Sequence, residues 1–136
     1  MSERLFLDTV FVQALLNRRD HYHEQAKMLL PRIRRAQEVW LTEAIIVEIG
    51  NALAATNRTA SSQFIRQCYQ TRNMRVVAVT SELLQRALAL YEARADKARG
   101  LTDCISFVVM QDEGLVLAAT ADRHFSQAGF QLLLMS

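Results

Sequence analysis

The chain has 136 residues, enough for one domain around one core. Hydrophobic residues make up 51%, yet the longest apolar runs, V-V-A-V and L-V-L-A-A, stop far short of the roughly eighteen that a membrane-spanning helix needs. The net charge of +2 is too slight to predict nucleic-acid binding by itself. Of the 16 basic residues 14 are arginine, and Arg18, Arg19, Arg32, Arg34 and Arg35 cluster in the first third, where their planar forks suit phosphate oxygens. Cys68 and Cys104 have neither a C-x-x-C nor a zinc spacing and read as buried thiols in a reducing compartment. Arg4 is followed closely by Asp8 with no long apolar stretch, so no secretory leader is expected and the cytoplasm is the default location.

Arg4 to Leu7 predicts a short strand, followed by a helix over Thr9 to Asn17 with Val10, Leu15 and Leu16 among its buried residues. A polar break at Arg18 to Asp20 precedes a second helix from near His21, which Pro31 should kink or split. Glu38 to Leu41 reads as the second strand, and Thr42 as the N-cap of a helix that buries Ile45, Ile49 and Leu53. A helix from about Ala60 to Arg72 presents Phe64, Ile65, Cys68 and Tyr69. The third strand is Arg75 to Val79, and Ser81 caps a helix through Leu84, Ala87, Leu88 and Tyr91. After the basic connection Lys97 to Gly100, Thr102 opens the most apolar helix, I-S-F-V-V-M, which Gly114 ends. Leu115 to Ala119 and Phe130 to Leu134 are the last two strands, with a turn or single helical turn from Asp122 to Ser126 between them. Strands alternating with helices imply an α/β fold with a mostly parallel sheet covered on both faces.

Four acids far apart in the chain, Asp8, Glu48, Asp103 and Asp122, fall where an apolar strand gives way to a turn or a helix. In a parallel sheet the carboxyl ends of neighbouring strands meet at one crevice. Carboxylates gathered there repel one another unless a cation joins them. Each acid alone has an ordinary explanation: Asp8 and Asp103 as helix caps, Asp122 as a turn residue, Glu48 as a side chain that reaches solvent or pairs with a charge. Together they suit a hard divalent ion, Mg2+ or Mn2+, beside a water poised for phosphodiester hydrolysis. Thr9 can hold Asp8 or a water, and Asn51, one turn after Glu48, can orient its carboxylate. Competing chemistry finds little support. There is no G-x-G-x-x-G, Walker A or G-x-S-x-G motif, and His21, His23 and His124 lack a zinc spacing; His124, close to Asp122 in D-R-H-F, is placed in packing or at the surface, with contact to substrate as the alternative.

The segments L-F-L-D-T, D-H-Y-H-E-Q-A, L-T-E-A-I-I-V-E-I-G-N-A-L, L-T-D-C-I-S-F-V-V-M and A-T-A-D-R-H-F-S-Q-A-G-F, in this order and over nearly the whole length, resemble PIN-domain ribonucleases. The likeness is strongest to the VapC-type toxins of VapBC toxin–antitoxin pairs. It implies one PIN-like domain over residues 1–136, with a five-stranded sheet in the order 3-2-1-4-5 and helices on both faces. It further implies a metal-dependent endoribonuclease, homodimers, and an antitoxin whose tail crosses the active site. By position Asp8 and Asp103 would contact the ion, Glu48 would activate water, and Asp122 would act behind them or at a second ion. Thr9, Asn51 and Thr120 would support them, and Arg18 and Arg19 would steer RNA. Asp96 is a further acid near this edge, set outside the ion's immediate ligands. Gly100 departs from relatives that often carry serine there, which loosens the helix start without removing an acid. Phe64, Tyr69 and other apolar residues of the two middle helices are candidate interface residues. The rival readings are a non-catalytic PIN-like RNA-binding or scaffold protein, which the intact acid set disfavours, and a phosphohydrolase or DNA-structure nuclease, which the short length disfavours.

Overall fold

The computed structural model describes residues 3–93 and 98–134. The elements run β1 (Arg4–Leu7), α1 (Thr9–Leu16), α2 (His23–Arg35), β2 (Glu38–Thr42), α3 (Glu43–Ala52), α4 (Arg58–Gln70) and β3 (Met74–Val77). They continue with α5 (Ser81–Ala93), α6 (Leu101–Glu113), β4 (Leu117–Ala119), α7 (Arg123–Gln127) and β5 (Gln131–Leu132). The sheet has the order β3-β2-β1-β4-β5. Every pairing in it is parallel, with Leu5 opposite Val39 on one side and Leu117 on the other.

Strand β1 shows why the sheet needs two helical layers. Successive side chains point to opposite faces, and Leu5, Phe6 and Leu7 are all 2% exposed or less. On the Phe6 face the ring meets Phe125 of α7 at 6.5 Å, and Phe125 in turn stands edge-on to Phe107 of α6 at 4.9 Å. Across the sheet Leu7 shares an apolar groove with Phe11 of α1 and Phe64 of α4. Among the described residues no helix is long and apolar enough to cross a membrane.

The helix starts follow local chemistry. Thr42 caps α3 by accepting a hydrogen bond from the Ile45 N–H at 3.3 Å, and Gly114 ends α6 at φ +69°, a left-handed conformation that glycine takes without strain. Four local expectations need correction. Helix α2 runs unbroken through Pro31: the ring is exposed, while Ala26 and Ile33 on the buried face hold both halves. In α1 the buried residues are Phe11, Val12 and Ala14; Val10, Leu15 and Leu16 are only half-buried. In α5 the core takes Leu83 and Ala87, one helical turn apart, leaving Leu84 and Tyr91 exposed on another stripe. Helix α6 opens at Leu101 with Gly100 as its N-cap, so Thr102 lies inside the first turn. Gly100 has an ordinary extended backbone and open space where a Cβ would stand, so nothing there demands glycine.

Candidate active site

Two strand ends and two helices bring the acids together. Asp8 follows β1, Asp122 follows β4 beside it, Glu48 lies on α3 after β2, and Asp103 lies in the first turn of α6. That is the crevice at the carboxyl edge where ligands sit in open parallel sheets.

Asp8 is 3% exposed and makes no side-chain capping bond to α1, so the capping explanation for it fails. Its carboxylate instead accepts a hydrogen bond from the Thr120 hydroxyl at 2.8 Å, across 112 residues of chain. The same hydroxyl oxygen accepts the Asp122 backbone N–H at 3.1 Å, so Thr120 ties Asp8 to the turn that carries Asp122. Burial pushes the Asp8 carboxyl up to about 7; the Thr120 bond opposes this, and the charges of Asp103 and Asp122 add to it. Asp103 is pushed up to about 6, first by burial and next by the charge of Asp122, with Glu48 adding and His124 opposing. The acids therefore feel one another across the crevice. A shared field of that kind is what a divalent cation relieves, and oxygen donors are its preferred ligands.

Thr9 serves a different partner from the one its position suggested. Its hydroxyl donates to Glu48 Oε1, not to Asp8. Glu48 itself reaches solvent, and Asn51 is exposed without a hydrogen bond to it, so Thr9 supplies the orientation expected from Asn51. Asp122 caps α7 by accepting the His124 N–H at 2.9 Å. His124, expected in packing or at the surface, turns its ring into the site: Nδ1 lies 3.1 Å from Asp122 and 3.8 Å from Asp103. The D-R-H spacing carries the signal in hindsight, since a capping Asp two residues before a His sets both on one side of a short helix.

The remaining residues divide clearly. Arg18 and Arg19 are exposed in the turn after α1, about 12 Å of helix away from Asp8. Asp96 lies outside the described residues. Arg99, in the basic connection before α6, is only 5% exposed and stacks on Phe107 at 5.1 Å, a cation–π contact that offsets part of its burial. The apolar groove of about 320 Å³ beneath α4 has no acid in its walls, so the chemistry does not reside there.

A family model, the PIN domain, matches residues 5–131. A search of curated protein sequences finds no match. Among solved structures, the chain is similar to VapC20 of Mycobacterium tuberculosis, a sarcin–ricin loop cleaving toxin, at 26% identity and a TM-score of 0.84, covering 93% of this chain and 96% of that one. VapBC2 of Rickettsia felis, solved with a DNA fragment from its promoter, shares 12% identity with a TM-score of 0.58, covering 96% of this chain and 97% of that one. FitAcB of Neisseria gonorrhoeae shares 14% with a TM-score of 0.62, covering 94% and 95%. These last two likenesses speak to the fold alone. With the family match spanning nearly the whole chain and the sheet order in agreement, the chain belongs to the PIN domain family.

Proposed function

We propose that this chain is a Mg2+- or Mn2+-dependent endoribonuclease, a single nuclease domain over residues 1–136 that acts as the toxin of a toxin–antitoxin pair. The observation that carries the reading is the meeting of Asp8, Glu48, Asp103 and Asp122 at one sheet edge, with two of them held protonated to near neutral pH by burial and mutual repulsion. That donor set suits a hard divalent ion held by Asp8, Asp103 and Asp122, of which Asp103 and Asp122 offer oxygens within 4.8 Å of one another. When bound, such an ion would neutralise the phosphate and acidify the attacking water.

The chain's own residues do the rest. Thr120 orients the Asp8 carboxylate, and the Thr9 backbone N–H also bonds to it. Thr9 fixes the Glu48 carboxylate through Oε1, and that carboxylate would accept the proton of water. The likeness to a sarcin–ricin loop cleaving toxin supports structured RNA as the substrate class and makes that loop the first one to assay. Exposed Tyr69 and Tyr91, and Phe64 in the apolar groove, support an antitoxin and a homodimer as partners. The buried free thiols of Cys68 and Cys104 suit the cytoplasm. The runner-up, an inactive PIN-like scaffold, would have little reason to keep four repelling acids in one crevice.

The test is RNA cleavage by the purified chain with Mg2+ or Mn2+, against the same reaction in excess chelator. Cleavage is expected with either ion and none with the chelator; cleavage that persists without metal would dismiss the ion from the reaction. If Arg18 and Arg19 guide the strand, reversing both to Glu should raise KM and flatten its dependence on salt with kcat little changed, because each lost phosphate contact removes a released counterion. An unaltered KM would remove them from the substrate path.

A further inference from the structure

We propose that His124 is a nitrogen ligand of the ion site, biasing it away from magnesium toward first-row transition ions; this rests on the reading that the acids hold a divalent cation. Three donors, one each from Asp103, Asp122 and His124, lie within 4.8 Å of one another. The ring is pinned in place. Its own backbone N–H is bonded to Asp122 at 2.9 Å, and the next residue, Phe125, is fully buried against Phe107 and Phe6.

His124 Nδ1 is sealed from solvent and has no hydrogen-bond partner, although Asp122 Oδ1 stands 3.1 Å away. At that separation a ring N–H pointed at the carboxylate would count as a hydrogen bond, so it is the direction that fails. A nitrogen sealed from water, without a hydrogen bond and grouped with two carboxylates, is a donor that an ion among the three would satisfy. Octahedral donors about 2.1 Å from an ion lie about 3.0 Å apart when adjacent, close to the 3.1 Å and short of the 3.8 Å seen from this nitrogen. Imidazole nitrogen adds affinity for transition ions, whereas magnesium favours an all-oxygen shell.

The deciding experiment titrates the full chain with Co2+ and, separately, with Mg2+ by calorimetry, and follows the visible absorption of bound Co2+. In wild type Co2+ should bind more tightly and show the band of a nitrogen-containing shell. His124→Ala should weaken Co2+ by about tenfold or more, at least the loss that outer partners of metal ligands already cause. Mg2+ affinity should change far less, and the Co2+ band should shift. His124→Gln, which keeps length and polarity without an imidazole, should do the same if the Ala variant proves unstable. If both affinities stay put, or fall by one common factor with the band unmoved, His124 is at most an ion-pair partner that positions Asp122, and the proposal fails. Wild type binding neither ion would overturn the ion-based reading of the acids as well, and so tells the two failures apart.

Discussion

Asp8→Asn and Asp103→Asn should each lower RNA cleavage by on the order of 10²–10⁴-fold, measured as single-turnover rates at saturating metal. The change is nearly isosteric and removes one negative charge, so it separates charge from shape. At position 8 the amide oxygen can still accept the Thr120 hydroxyl, and the strand-to-turn link survives. At position 103 the amide oxygen of asparagine can still accept the Gly100 backbone N–H that the carboxylate accepts, so the first turn of α6 keeps that bond. Folding is therefore expected to persist, which circular dichroism would check. What the variants lose is affinity for the cation and the local charge that aligns water and phosphate. Retention of the wild-type rate by either variant would take that carboxylate out of the reaction.

The second large effect concerns stability without metal. Asp8 moves from an ordinary 3.8 up to about 7 on folding, and Asp103 up to about 6. Between the unfolded and folded values the native state keeps protons that the unfolded chain has released. Raising the pH through that window therefore favours unfolding, and the loss is complete above about 7. Glu3, Glu38 and Asp112, held low by their arginine partners, act only below the ordinary carboxylate range. In chelated buffer the thermal midpoint should thus fall between pH 5 and pH 8. A contribution of roughly 2–4 kcal/mol from Asp8 corresponds to about 5–15 °C. Saturating Mg2+ should flatten the slope, because the ion favours the ionised acids. Asp8→Asn should raise the metal-free midpoint at pH 8 while lowering cleavage as above, a gain in stability at the expense of function. A profile that is flat, or that rises with pH, would contradict the burial and repulsion assigned to these carboxyls.

The elements differ in how far their residues announced them. Strand β1 was plain because L-F-L is apolar on both faces, as a central parallel strand must be. Thr42 was plain as a cap because its hydroxyl acts within three residues. The α5 face was not plain: L-L at 83–84 offers two adjacent apolar residues, and only packing against α6 selects Leu83 for the core. Pro31 was read by its local cost alone, which the buried contacts of Ala26 and Ile33 outweigh. The burial of Arg99 was not legible in a basic connection, because its ring contact with Phe107 comes from packing.

Composition and periodicity by themselves determined the alternation of strands and helices, and with it a parallel sheet whose edge gathers Asp8, Glu48, Asp103 and Asp122. Those signals are local, each set within a few residues by which side chains seek or avoid water. The tertiary structure alone decided that Thr120 holds Asp8 from 112 residues away, that Thr9 holds Glu48 from 39, and that His124 faces the acids. Side-chain direction and burial depend on neighbours brought together from distant parts of the chain, and no window of sequence contains them.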